Sequence, residues 1–82
     1  MMDYDNTPIG IIGLGYVGLP LAIEFGQKRA VVGFDTNSYR VDELRAGVDS
    51  THEIDSENFS KSVYLSFTSD PSDLTNCGIY IV

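Results

Sequence analysis

The run Ile9-Gly10-Ile11-Ile12-Gly13-Leu14-Gly15-Tyr16-Val17-Gly18-Leu19-Pro20-Leu21-Ala22 limits the fold more than any other stretch of the chain. A short apolar segment stops at a cluster of glycines, and a helical pattern begins at once. Strand, glycine turn and helix in that order are what a pyrophosphate-binding loop requires. Gly13 can turn the chain sharply out of the strand. Gly15 has no side chain to keep a phosphate from the backbone, and Gly18 lets the new helix lie close to the sheet. The helix N-terminus then offers unpaired N–H groups and the positive end of its dipole to an anion. Bare Gly-x-Gly-x-x-Gly spacing also marks ordinary turns, so the motif takes its meaning from the residues C-terminal to it.

Past the first helical pattern comes a second apolar run, Ala30-Val31-Val32-Gly33-Phe34, closed by Asp35. An acid at the end of the second strand, about 20 residues past the glycines, is where a Rossmann unit binds the adenosine ribose hydroxyls. A carboxylate there repels a 2′-phosphate, which points to NAD rather than NADP. The competing reading is that Asp35 only opens a turn, since Asp35-Thr36-Asn37-Ser38 is good turn composition. Arg40 lies in the first turn of the next helix, where a cation gains nothing from the dipole. That favours a ligand or carboxylate partner beside the ribose or adenine, against a plainly solvated arginine.

Eighty-two residues suffice for one small domain, and a hydrophobic fraction of 43% is that of a core-forming chain. The net charge of −7, with the five basic residues dispersed, argues against a nucleic-acid or anionic-membrane surface. Any phosphate site must therefore work through backbone dipoles and local cations. The single cysteine, Cys77, excludes an internal disulfide. It reads either as a small buried residue or as a reactive thiol. No apolar run reaches a membrane span, and the acidic start is unlike a signal peptide. The expected compartment is the cytoplasm. His52 stands without a second histidine or cysteine nearby, so no metal site is expected and it reads as a solvated loop residue.

Residues 1–7 read as a flexible leader, and 8–82 as the first part of a dinucleotide-binding domain. Pro8 to Ile12 is the first strand, continuous and apolar as a strand buried on both faces would be. The first helix should run to about Lys28, with Val17, Leu21, Ala22 and Phe25 inward. Pro20 is tolerable only in its first turn. Asn37 caps a second helix, Ser38 to Ala46, and Gly47 ends it. The segment 48–61 is acidic and polar, a surface excursion with one helical turn near Ser56–Ser60. Residues 62–68 alternate, with Val63, Leu65 and Phe67 on one face, and Gly78 to Val82 forms a last strand. Right-handed crossovers then give an α/β fold, a truncated Rossmann unit whose parallel sheet has the order 3-2-1-4. Ending inside an apolar strand, the chain reads as a fragment of a longer protein. Its open strand edge leads us to expect self-association.

Gly10 through Ala22, followed by Val32-Gly33-Phe34-Asp35-Thr36-Asn37 and Arg40-Val41-Asp42-Glu43-Leu44, resembles the N-terminus of the UDP-glucose/GDP-mannose dehydrogenase family. The wording Tyr16-Val17-Gly18-Leu19-Pro20-Leu21-Ala22 carries more of that resemblance than the glycine spacing does. Within the family the chain is most similar to the UDP-N-acetylhexosamine 6-dehydrogenases of bacterial polysaccharide synthesis, the Vi-polysaccharide type. The resemblance implies an NAD-dependent oxidation of a UDP-sugar at C6. It passes through an aldehyde and a cysteine-bound thioester to the acid, with NAD reduced at each oxidation. It also implies that main-chain groups at Tyr16 and Val17 meet the pyrophosphate, that Asp35 takes the ribose hydroxyls and that Arg40 lies beside them. The expected cofactor set is Gly13, Leu14, Gly15, Tyr16, Val17, Gly18, Asp35 and Arg40.

Two departures from the family pattern stand out. Many relatives carry Glu-Pro-Gly after the second helix, where this chain reads His52-Glu53-Ile54-Asp55. The family's catalytic cysteine and lysine and its sugar-binding domains fall beyond Val82. Cys77 is therefore not the nucleophile, no catalytic residue is expected in this chain, and the piece alone should be inactive. The parent would be a homodimer or larger. The alternative is a regulatory nucleotide-sensing Rossmann domain of a potassium transporter or channel, which shares the glycines and the acid. Leu19-Pro20-Leu21 and the acidic excursion speak against it.

Overall fold

The computed structural model describes residues 7–49, 54 and 56–82. The four-stranded sheet is parallel, in the order β3-β2-β1-β4, as the crossover rule requires. Its elements are β1 (Ile9–Ile12), α1 (Gly18–Gly26), β2 (Val31–Phe34), α2 (Ser38–Arg45), α3 (Ser56–Lys61), β3 (Leu65–Thr68) and β4 (Ile79–Ile81). A 3-10 turn, Pro71–Leu74, joins β3 to β4. No helix among the described residues is long and apolar enough to cross a membrane. Positions 1–6 of the expected leader, together with His52, Glu53 and Asp55, lie outside the described residues.

Register places Ile9, Ile11, Val31, Gly33, Leu65, Phe67, Ile79 and Ile81 on one face of the sheet. That face holds the core, with Leu14, Leu19, Ala22, Ile23 and Leu44 packed over it. The other face carries Ile12, Val32, Phe34 and Tyr80, and β2 alternates buried and half-buried along its length. The first strand is buried on both faces over Ile9–Ile11, as its continuous apolar sequence led us to expect, whereas β2 is fully covered on one face only. On the second face the Tyr80 hydroxyl donates to the Leu74 carbonyl at 2.6 Å, and its ring lies against Gly10.

Helix α1 turns a different side to the sheet from the expected one. Leu19, Ala22, Ile23 and Gly26 are buried, a stripe spaced for a helical face. Leu21 and Phe25 are only partly buried, and Val17 is 74% exposed. The reason is where the helix starts: Val17 is its N-cap, still on the turn, so it cannot belong to the helical stripe. Gly26 completes the stripe because a Cβ there would stand 2.7 Å from the Cβ of Leu65. Pro20, third in the helix, sits in the first turn, and its missing N–H leaves one gap in the ladder, between the bonds from Leu19 N–H to the Gly15 carbonyl and from Leu21 N–H to the Val17 carbonyl. The helix stops at Gly26, short of Lys28, in a last turn where Lys28 and Arg29 N–H both reach the Phe25 carbonyl at 3.0 Å.

Helix α2 follows its local signals closely. The Asn37 side chain accepts from the N–H groups of Tyr39 and Arg40 at 3.1 and 3.3 Å. At the other end Gly47 has φ +78, its N–H reaches the Leu44 carbonyl, and the Val48 N–H reaches that of Glu43. This is the Schellman pattern. Further on, Val63 is 71% exposed and lies outside β3, which begins at Leu65. Ser62 closes α3 instead: its hydroxyl donates to the Ile23 carbonyl at 2.5 Å and is buried there. The excursion after α2 is not wholly solvated either, since Asp49 is only 6% exposed.

Candidate functional site

At the C-terminal end of β1 the chain leaves the sheet through Gly13, whose φ of +98 is the left-handed conformation that glycine adopts freely. Its N–H still extends the ladder, donating to the Phe34 carbonyl at 2.8 Å. Gly18 then brings the start of α1 back onto the turn. A Cβ there would overlap the Gly13 carbonyl oxygen, so only glycine fits. Gly15 differs, because a Cβ on it would meet no protein atom within 4 Å and would project into open space.

That open space is a cleft of about 410 Å³ lined by Gly13, Gly15, Tyr16, Val17 and Gly18 from the loop, with Ile11, Ile12, Leu21, Ile81 and Val82 around them. It lies between β1 and β4, at the point where the strand order reverses, which is where open α/β sheets bind ligands. The N-terminus of α1 faces it with no side-chain cap and no acid in its first turn. A cleft of about 430 Å³ lies between α2, α3 and β3, and it contains none of the expected site residues. Chemistry rather than size distinguishes the first cleft: the backbone at an uncapped helix start suits an anion.

Leu14 lines neither cleft. It is fully buried, its side chain lying on Gly33, and both its peptide groups are engaged. Its N–H donates to Asp35 Oδ2 at 2.9 Å, and its carbonyl accepts from Arg40 Nε at 3.0 Å. The other Asp35 oxygen accepts from the Asn37 N–H at 2.9 Å. Asp35 thus joins the glycine loop to the second turn, and each carboxylate oxygen keeps capacity for a further donor.

Arg40 reaches past Leu14 to two carboxylates: its Nη1 lies 2.7 Å from Glu43 and 2.8 Å from Asp49. Its Nη2 is buried with no hydrogen-bond partner. Burial pulls the guanidinium pKa down, but the bonds to Glu43 and Asp49 outweigh that and hold it above its ordinary value. The structure therefore brings all eight expected residues into one neighbourhood, in two roles. Gly13, Gly15, Tyr16, Val17 and Gly18 line the cleft, while Leu14, Asp35 and Arg40 brace it from behind. Asp49 escapes sequence reasoning, since an acid in an acidic segment gives no sign of burial; only the fold-back onto Arg40 reveals it. Cys77 is buried away from the cleft lining, and burial pushes its thiol pKa up.

Residues 7–82 match the model of the UDP-glucose/GDP-mannose dehydrogenase family, NAD binding domain. A UDP-N-acetyl-D-glucosamine 6-dehydrogenase of Pseudomonas aeruginosa is 54% identical over 77 residues, 94% of this chain and 18% of the relative. One from Salmonella typhi is 50% identical over 82 residues, 100% of this chain and 19% of that protein. Among solved structures, a UDP-D-ManNAc dehydrogenase from Pyrococcus horikoshii superposes with a TM-score of 0.79 at 30% identity. That likeness covers 90% of this chain and 19% of the other. The chain thus spans about a fifth of the length of the proteins it matches. With its glycine loop, its Asp35 brace and a match over nearly its whole length, it belongs to the UDP-glucose/GDP-mannose dehydrogenase family, in that family's NAD-binding domain.

Proposed function

We propose that this chain is the NAD-binding part of a UDP-sugar 6-dehydrogenase, acting on a UDP-N-acetylhexosamine in polysaccharide synthesis. The observation that carries the reading is the cleft where Gly15 leaves room for a phosphate at the uncapped start of α1, with the loop braced by Asp35. The cradle fits the group: it is open where a pyrophosphate would lie and closed by Gly18 behind. The names of the relatives support the sugar class. They offer nothing for a nucleotide-sensing potassium regulator.

In this reading the backbone from Gly13 to Gly18 binds the pyrophosphate, and Tyr16 and Val17 flank it. The free lone pairs of Asp35 take the ribose hydroxyls and turn away a 2′-phosphate. Arg40 keeps the loop in register. Bound NAD accepts the hydride taken from the sugar alcohol. The residues that hold the sugar and act on its carbon belong to the rest of the longer protein. The parent assembles as a dimer or larger and works in the cytoplasm. The outer edge of β4, which pairs with no strand among the described residues, favours self-association of this piece. Light scattering checks that, a concentration-independent monomer being the contrary result.

The decisive measurement is a titration of the full-length protein with NAD and NADP, followed by turnover with UDP-N-acetylglucosamine. We expect NAD to bind more tightly than NADP and the sugar to be oxidised. Equal affinity for the two cofactors would refute the Asp35 assignment. Absence of NAD reduction with any UDP-sugar would refute the activity.

A further inference from the structure

The segment after α2 reaches back to the glycine loop through one buried contact. Asp49 has a side chain with no solvent exposure, and one of its oxygens accepts from Arg40 Nη1 at 2.8 Å. Its other oxygen accepts from the Ile54 N–H at 3.1 Å. Arg40, 11% exposed along its side chain, turns its Nε to the Leu14 carbonyl at 3.0 Å. Leu14 lies between Gly13 and Gly15, which line the cleft. A continuous path of hydrogen bonds thus runs from Ile54 through Asp49, Arg40 and Leu14 to the glycine turn.

We propose that Asp49 is a positioning residue for the cofactor loop, acting through Arg40 on the Leu14 carbonyl. The inference rests on the NAD reading of the cleft. A buried ion pair is a weak net stabiliser, because desolvating both charges offsets their attraction. Its distinctive effect here is geometric. Arg40 Nη1 is held between Glu43 and Asp49, which fixes the guanidinium plane and aims Nε at Leu14. Glu43 is a near neighbour on the same helix and is 26% exposed, so solvent can replace it. Asp49 is buried, and nothing but protein can replace it. Without it Arg40 can turn toward Glu43 and solvent, and the peptide between Gly13 and Gly15 loses its acceptor bond. A loop displaced by a fraction of an ångström meets a pyrophosphate poorly.

The test is a cycle of variants in the full-length protein, read by calorimetric titration with NAD. Unmodified protein is titrated first; failure to bind NAD there overturns the NAD reading and this proposal together. Given binding, Asp49→Asn should weaken it on the order of tenfold, and Arg40→Met by a similar factor. In Arg40→Met/Asp49→Asn the affinity should equal that of Arg40→Met alone, because the proposed route from Asp49 to the loop runs through Arg40. Further weakening in the double variant would mean that Asp49 acts by another route and would overturn the proposal. So would a folded Asp49→Asn whose NAD affinity stays within twofold of the unmodified protein. Should Asp49→Asn not fold, the double variant, which leaves neither charge of the buried pair alone, is compared with the unmodified protein, and weakening of less than twofold would overturn the proposal. The NAD reading survives any of these last outcomes.

Discussion

The β1–α1 and β2–α2 junctions perform the same turn from a parallel strand into a helix, and they are finished in opposite ways. At the second, Asn37 caps the helix, Asp35 accepts the Asn37 N–H, and Gly47 closes the far end. At the first, the start of α1 has neither a capping side chain nor an acid, and glycines stand where side chains would fill the space. The junction after β3 resembles the second, with Asp70 accepting from the Ser72 N–H at 2.9 Å. That bond holds the Asp70 carboxyl below its ordinary pKa. Of these three junctions the start of α1 is the one without a side-chain cap, and it forgoes the stability that a cap supplies.

The largest effect is expected where the first junction is tightest. Gly18→Val must push α1 off the Gly13 carbonyl, which we expect to cost about 3 kcal/mol in urea unfolding and to abolish NAD binding. An unchanged midpoint would mean that the two elements are not packed as described. Next comes the shared brace. Asp35→Ala leaves the Leu14 and Asn37 N–H groups without their acceptor and should cost about 1–3 kcal/mol while weakening NAD. Equal NAD affinity with lowered stability would confine Asp35 to a structural part.

The contrast itself is tested by exchanging the character of the two helix starts. Asn37→Ala should lose about 1 kcal/mol of stability with little change in NAD affinity. Val17→Asp should do the reverse. An acid at the open terminus gains about 0.3–1 kcal/mol from the dipole and repels the pyrophosphate, so the thermal denaturation temperature rises while binding falls. If both variants moved both properties in the same direction, the distinction between the junctions would fail. The smallest effect concerns Cys77. Its pKa is raised in the folded protein above the ordinary 9.0, so its share of stability is intact below that pH and is lost as pH rises through the higher folded value. Stability should therefore fall more steeply above about pH 9 in the unmodified protein than in Cys77→Ala, as urea titrations across that range would show.

Features decided locally were legible in the sequence. Asn37 and Gly47 act through bonds to their own neighbours, and the strand order comes from chirality once the strands and helices are placed. The glycine motif and Asp35 come together beside the cleft for the same reason, their spacing being set by one strand-turn-helix unit. Features decided by distant partners were not legible. The inward stripe of α1 depends on where the turn releases the helix: of the expected Val17, Leu21, Ala22 and Phe25 only Ala22 is buried, joined by Leu19, Ile23 and Gly26. Val63 fell outside its strand because Ser62 is committed to the Ile23 carbonyl. Asp49 looked like one acid among several, and only its pairing with Arg40 makes its burial tolerable.

The uncapped start of α1 has a consequence for how salt acts on binding. Its attraction for phosphate comes from dipoles effective only within the first turn, whereas the chain as a whole carries −7. An approaching dinucleotide is therefore opposed at long range and held only on arrival. Ions screen the long-range field over about 10 Å at 0.1 M. Added salt should then quicken NAD association by this chain before it weakens the final contacts, the opposite of the order found for proteins that capture anions with basic patches.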